Sequence, residues 1–172
     1  MDLQKSVTGN GIFQNKLNTC STMKSIAGEL ETFINRHIAA LQTLPEDKMS
    51  LKPSPVKWSR KEIMGHLIDS VQTNIRRFVV AQYEDNPAIT YNQDKWVAIV
   101  NYQQWETINL IRLWYLLNRQ VVEIFKNTSA ETARRTCQTE ELHTIEWLAL
   151  DYLKHLRHHI HQVLELEPVP YP

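Results

Sequence analysis

Apolar residues recur along much of this chain at steps of three and four, the spacing of one face of a helix. Ile26, Leu30, Phe33, Ile34, Ile38, Leu41 and Leu44 trace the first such face, which Pro45 closes, so a helix is expected over about 22–44. The stretch 45–57 holds three prolines and no period. Ser59 followed by Glu62 has the form of a capping box, and Ile63, Met64, Leu67, Ile68, Val71, Ile75, Phe78 and Val79 continue from it as a second helix to near Glu84. Residues 85–101 read as an irregular crossover; with Tyr91 and Trp96 it is too long and too aromatic to be simply solvated, and it is expected to cover something. Trp105, Ile108, Ile111, Leu113, Trp114, Leu117, Val121 and Phe125 mark a third helix over about 103–127. A polar connection follows, holding a short turn of helix or a hairpin. The fourth helix is expected over about 144–166, with Thr144 as its N-cap and Pro168 beyond its end. Residues 1–20 read as a flexible leader, which leaves 21–172 as a single domain. The expected fold is all-α: an up-down four-helix bundle with a long crossover between helices two and three.

Composition narrows the function without naming it. A length of 172 residues suits one domain. Nineteen basic and nineteen acidic residues cancel, so the cationic excess that nucleic acid requires is missing. The four glycines all fall in the first 65 residues, which disfavours a turn-rich β fold. Cys20 and Cys137 form no close-spaced pair, as expected of reduced thiols in the cytoplasm. No apolar run has the length of a signal-peptide core or a membrane span, so no membrane partner is expected either.

The candidate chemistry lies in the histidines. On the fourth helix His155 and His159 share one shoulder of the apolar face, whereas His158 and His161 share the polar face with Asp151, Lys154 and Glu165. A His-x-x-x-His pair brings two imidazoles within reach of one cation, and a site needs a third ligand from elsewhere. His66 on the second helix is the leading candidate, on a polar shoulder with Ser70, Asn74 and Arg77 that can line a pocket or face water. His37 falls in the middle of the first helix's apolar face, as a hydrogen-bonded core histidine or as a further pocket residue. Glu140 and His143 form one ExxH pair, but a di-iron carboxylate bundle needs two such pairs and two more glutamates. The chain has no HExxH, no HxxEH and no glycine-rich phosphate loop, so zinc-protease, kinase and Rossmann readings lack support.

Three segments carry a family resemblance: KWSRKEIMGHLIDS (57–70), IRRFVVAQYEDNPAITYNQDKW (75–96) and TIEWLALDYLKHLRHHIHQV (144–163). Together they resemble the DinB/YfiT-like metalloenzyme superfamily, and EDNPAITY before Trp96 resembles its YfiT branch. The resemblance implies a four-helix bundle of that type, with a divalent metal, zinc or nickel, held by His66, His155 and His159. It also implies an enzyme that transfers a low-molecular-weight thiol such as bacillithiol to an electrophile, or a metal-dependent hydrolase, working on small molecules; a homodimer is expected from Trp147, which falls on the exposed side of the fourth helix. Three imidazoles leave a coordination position open, where the metal lowers the pKa of a thiol or of water. Asp69 and Asp151 are then candidates to fix imidazole tautomers, and Tyr91 and Trp96 to close over the metal, with His37 beside them. The catalytic residues themselves are left unassigned. Gly65 departs from the branch, where a second histidine often stands. The competing expectation is a non-catalytic helical bundle, a stress or interaction protein, whose metal is structural or absent.

Overall fold

The computed structural model describes residues 10–171, with side chains from Thr22 onward. Six α-helices and one hairpin follow in order: α1 (Asn10–Gln42), α2 (Glu46–Ser50), α3 (Arg60–Val80), α4 (Gln93–Val100), α5 (Thr107–Asn127), β1 (Thr136–Gln138), β2 (Leu142–Thr144) and α6 (Ile145–Leu164). The helices expected from periodicity are α1, α3, α5 and α6, and they form a four-helix bundle. Its interior holds Trp114, Tyr152, Phe78 and Phe125, all fully buried. Phe78 and Phe125 meet edge to face at 4.8 Å, a favoured aromatic arrangement. No helix among the described residues is long and apolar enough to cross a membrane.

Local chemistry sets the element ends. Ser59 accepts from the Glu62 backbone N–H at 3.2 Å while the Glu62 carboxylate accepts from the Ser59 N–H at 2.7 Å, so the capping box starts α3 as expected. Thr144 accepts from the Trp147 N–H at 3.1 Å and starts α6. Other boundaries differ from the sequence reading. The helix expected from residue 22 begins at Asn10, inside the segment expected as a leader; once a helix is nucleated, each further residue adds one bond at little cost. The rest of that leader lies outside the described residues. α3 stops at Val80 and turns rather than reaching Glu84, and α5 starts at Thr107 because Tyr102–Gln104 tighten into a separate 3-10 turn. The crossover contains α4, capped by Asn92, and the 128–143 connection contains both of its alternatives, a 3-10 turn at Thr132–Arg134 and the hairpin.

Around the bundle, α1 packs beside α5 and α6, and α3 also packs beside α5 and α6. The helices are therefore ordered α1, α5, α3, α6, and the connections α1 to α3 and α5 to α6 cross the bundle diagonally. Both connections are long enough to do so, and the result sets α3 against α6. The crossover also joins the hairpin: Ile89 donates to the Gln138 carbonyl and Gln138 donates to that of Pro87, both at 2.9 Å. Tyr102 lies flat on α3 at Gly65, where a Cβ would stand 2.0 Å from the ring. Only glycine admits that approach.

Candidate metal centre

His66 lies seven residues past the cap of α3, on the side facing α6, and is 2% exposed. His155 and His159 lie one turn apart on α6. The structure brings these three together: one ring nitrogen from each falls within 4.8 Å of the others, and the ring centroids are 4.6 to 4.9 Å apart. The Nε2 atoms of His66 and His155 are 2.9 Å apart. Two nitrogens on one tetrahedral ion at about 2.0–2.1 Å would be separated by roughly 3.4 Å, a difference that small side-chain rotations absorb.

Electrostatics prepares the three rings for a cation. Burial, helped by the neighbouring His159, pushes His66 down to about 3. Burial also lowers His155, with His159, His66 and His158 adding to the effect, and lowers His159 itself. All three imidazoles are thus neutral near pH 7 and offer lone pairs, the state a metal requires. His159 Nδ1 sits 3.1 Å from the Gln162 side-chain oxygen; donation to that acceptor leaves the Nε2 lone pair toward the cluster. His66 Nδ1 is buried with no hydrogen-bond partner among the described residues. The donor set, three neutral nitrogens with no carboxylate among them, fits zinc or a similar borderline ion.

A cavity of about 630 Å³ opens beside His66 and His155. One wall is the α3 stripe of His66, Ser70, Asn74 and Arg77; the others come from the crossover, the tip of the hairpin, α6 and Tyr171. Tyr91 lines it, and burial pushes its hydroxyl up to about 12. Trp96 does not line this cavity. It packs behind Tyr91, ring centroids 5.3 Å apart, and borders a smaller apolar cavity with Tyr102 and Trp105, because α4 turns it away from the histidines. His37 lies elsewhere too: it bonds the Phe33 carbonyl through Nδ1 at 2.8 Å and faces His161 in a separate cavity between α1 and α6, the hydrogen-bonded alternative of its two readings.

The two aspartates hold tyrosines rather than imidazoles. Asp69 accepts from the Tyr102 hydroxyl, and its second oxygen is buried without a partner among the described residues. Asp151 accepts from the Tyr171 hydroxyl at 3.0 Å, and the Tyr171 ring stands 5.2 Å from that of His155. Residues three or four apart on one helix face are neighbours, but a tyrosine arriving from another segment reaches each carboxylate first. Sequence reasoning missed Tyr171 and Gln162. The i, i+3 spacing of Gln162 from His159 was a readable signal, whereas the place of Tyr171 depends on how the chain turns back after Glu165. That tail is tied down by His158 and His161, whose Nδ1 atoms meet the carbonyls of Val169 (2.6 Å) and Glu167 (2.7 Å). Trp147, expected at a dimer surface, stacks on His143 at 3.6 Å beside the cavity mouth.

Known proteins share this arrangement at the level of chain and fold. The chain is 26% identical over 135 residues to a protein of Halalkalibacterium halodurans named "Putative metal-dependent hydrolase", covering 77% of this chain and 78% of that one. It is 24% identical over 140 residues to one of the same name from Bacillus mycoides, covering 80% and 81%. Its fold matches that of YfiT from Bacillus subtilis, described as a probable metal-dependent hydrolase with an unusual four-helix bundle topology, with a TM-score of 0.65 at 19% identity over 96% of this chain and 90% of that one. The sequence profile of the DinB superfamily matches residues 29–163, a span that takes in the later part of α1, all of α3 and α5, nearly all of α6 and the three clustered histidines, and the chain belongs to that superfamily.

Proposed function

We propose that His66, His155 and His159 hold one divalent ion, zinc or nickel, and that the protein is a metal-dependent enzyme transferring a low-molecular-weight thiol to an electrophile. The convergence of three neutral imidazole nitrogens, two of them from rings that line a sizeable cavity, carries this reading. A structural site is closed by a fourth protein ligand, and no other His, Cys, Asp or Glu joins this cluster among the described residues. A divalent ion held there supplies Lewis acidity, which lowers the pKa of a thiol or of water. The chain's own residues hold the ion in place, exclude bulk water from its inner side through Trp58, packed 5.1 Å from His66, and leave the cavity side for a substrate. Hydrolysis is the second reading, and the names of the relatives favour it.

The test is elemental analysis of protein purified without a histidine tag, on the wild type and on His66→Ala, His155→Ala, His159→Ala and the control His161→Ala. About one ion per chain, lost in the first three and kept in the control, is the expected result. No bound metal in the wild type, even after reconstitution, would overturn the reading. With metal present, product formation that requires an added thiol separates transfer from hydrolysis.

A further inference from the structure

Arg77 lies on the cavity wall that also carries His66, yet the metal cluster gives it no role. Residues 66, 70, 74 and 77 form one stripe of α3, and all four line the cavity. The guanidinium is fixed by two neutral acceptors. Its Nε donates to the Ile89 carbonyl at 3.0 Å, and its Nη1 donates to the Asn74 side-chain oxygen at 3.3 Å. Its Nη2 makes no hydrogen bond to the described residues. Arg60, Arg119, Arg135 and Arg157 each reach a carboxylate, whereas half-buried Arg77 has no ion pair among the described residues. A cation held partly out of water with no carboxylate in contact is costly, and two carbonyl-type acceptors together with the more distant Asp151 offset only part of that cost.

We propose that Arg77 binds a carboxylate at the far end of an elongated substrate whose other end reaches the three histidines. This rests on the metal-site reading above. The bond to Asn74 holds the guanidinium over a point eight residues along α3 from His66, about 12 Å at roughly 1.5 Å per residue, which sets the span of the ligand. A planar carboxylate suits the free edge of the guanidinium. Asp94, Glu140, Glu141 and Asp151 line the same cavity and repel each added negative charge, so a singly charged carboxylate is favoured over a phosphate.

The experiment compares two thiols of equal length, 8-mercaptooctanoic acid and 8-mercapto-1-octanol, on cobalt(II)-loaded protein. Calorimetry gives the affinity of each, and the thiolate-to-cobalt absorption band reports whether sulfur reaches the metal. The acid is expected to bind the wild type about tenfold more tightly than the alcohol. Arg77→Gln should bring that ratio close to one while leaving the alcohol's affinity within about twofold. Equal affinities in the wild type, or a preference that survives in Arg77→Gln, would overturn the proposal. The wild-type comparison does not depend on how well the variant folds. A preference for the acid without the cobalt band would remove the metal reading and leave the carboxylate site standing; the band with both thiols and no preference would do the reverse.

Discussion

Asp69 and His66 stand three residues apart, both 2% exposed, and titration pulls them in opposite directions. Burial raises Asp69 to about 6, against the opposing bond from Tyr102, so the folded chain holds its proton more tightly than the unfolded one. The stability this gives is full below about 4 and fades as pH rises through about 6. His66 behaves the other way: its lowered pKa contributes stability above about 6.5 that is lost as pH falls toward about 3. In metal-free protein, urea midpoints measured from pH 7 to pH 4 should therefore fall with acid, and Asp69→Asn should steepen that fall by removing the opposing group. A shallower profile in Asp69→Asn would mean that the carboxyl titrates normally. At this scale the sequence was legible where helical angle alone decides. That angle separates His155 and His159 from His158 and His161, and the structure places the first pair in the cluster and the second pair on the tail. It was illegible for Asp69 and Asp151, since their partners come from segments whose path the sequence pattern does not specify.

Between elements, the contact of the crossover with α3 leaves no room for a side chain at Gly65. Tyr102 packs on Gly65 and hydrogen-bonds Asp69, so the crossover docks on the same helix turns that carry His66. Gly65→Ala adds a methyl group where the ring already lies, and the ring must shift. The expected loss is up to about 2 kcal/mol in urea denaturation, overpacking of ~1–3 kcal/mol less the gain of about 1 kcal/mol in helix propensity. In a Tyr102→Ala background the same change should stabilise by about 0.5–1 kcal/mol, a reversal of sign that a double-mutant cycle detects. The departure at Gly65 that the sequence showed thus has a steric reason. Helix existence and the two N-caps at Ser59 and Thr144 were readable because they rest on local bonds. α4 was not, and the hairpin was readable only as one of two alternatives, because a short segment takes its shape from what it packs against, as Ile89 and Gln138 do across the crossover.

For the whole molecule, the order of helices around the bundle decides that the three histidines meet at all. Periodicity identifies the buried face of α3 but not the helix it meets, so the role of His66 stayed open until α3 was seen beside α6. An ion that binds only when both helices are assembled must stabilise the assembly. With free zinc at about a hundred times its dissociation constant, the gain is about 2.7 kcal/mol, and for a chain of this size the melting temperature should rise by roughly 5–10 °C. Scanning calorimetry should show that rise in the wild type and not in His155→Ala. An equal rise in both would place the ion elsewhere. The mouth of the cavity, by contrast, is built from the crossover, the tip of the hairpin and Tyr171, none of which belongs to the four bundle helices. Insertions, deletions and substitutions there leave the three histidines untouched. Selection can therefore reshape what fits this cavity by editing loops while the scaffold that gathers the three histidines is inherited unchanged, so the two can evolve separately.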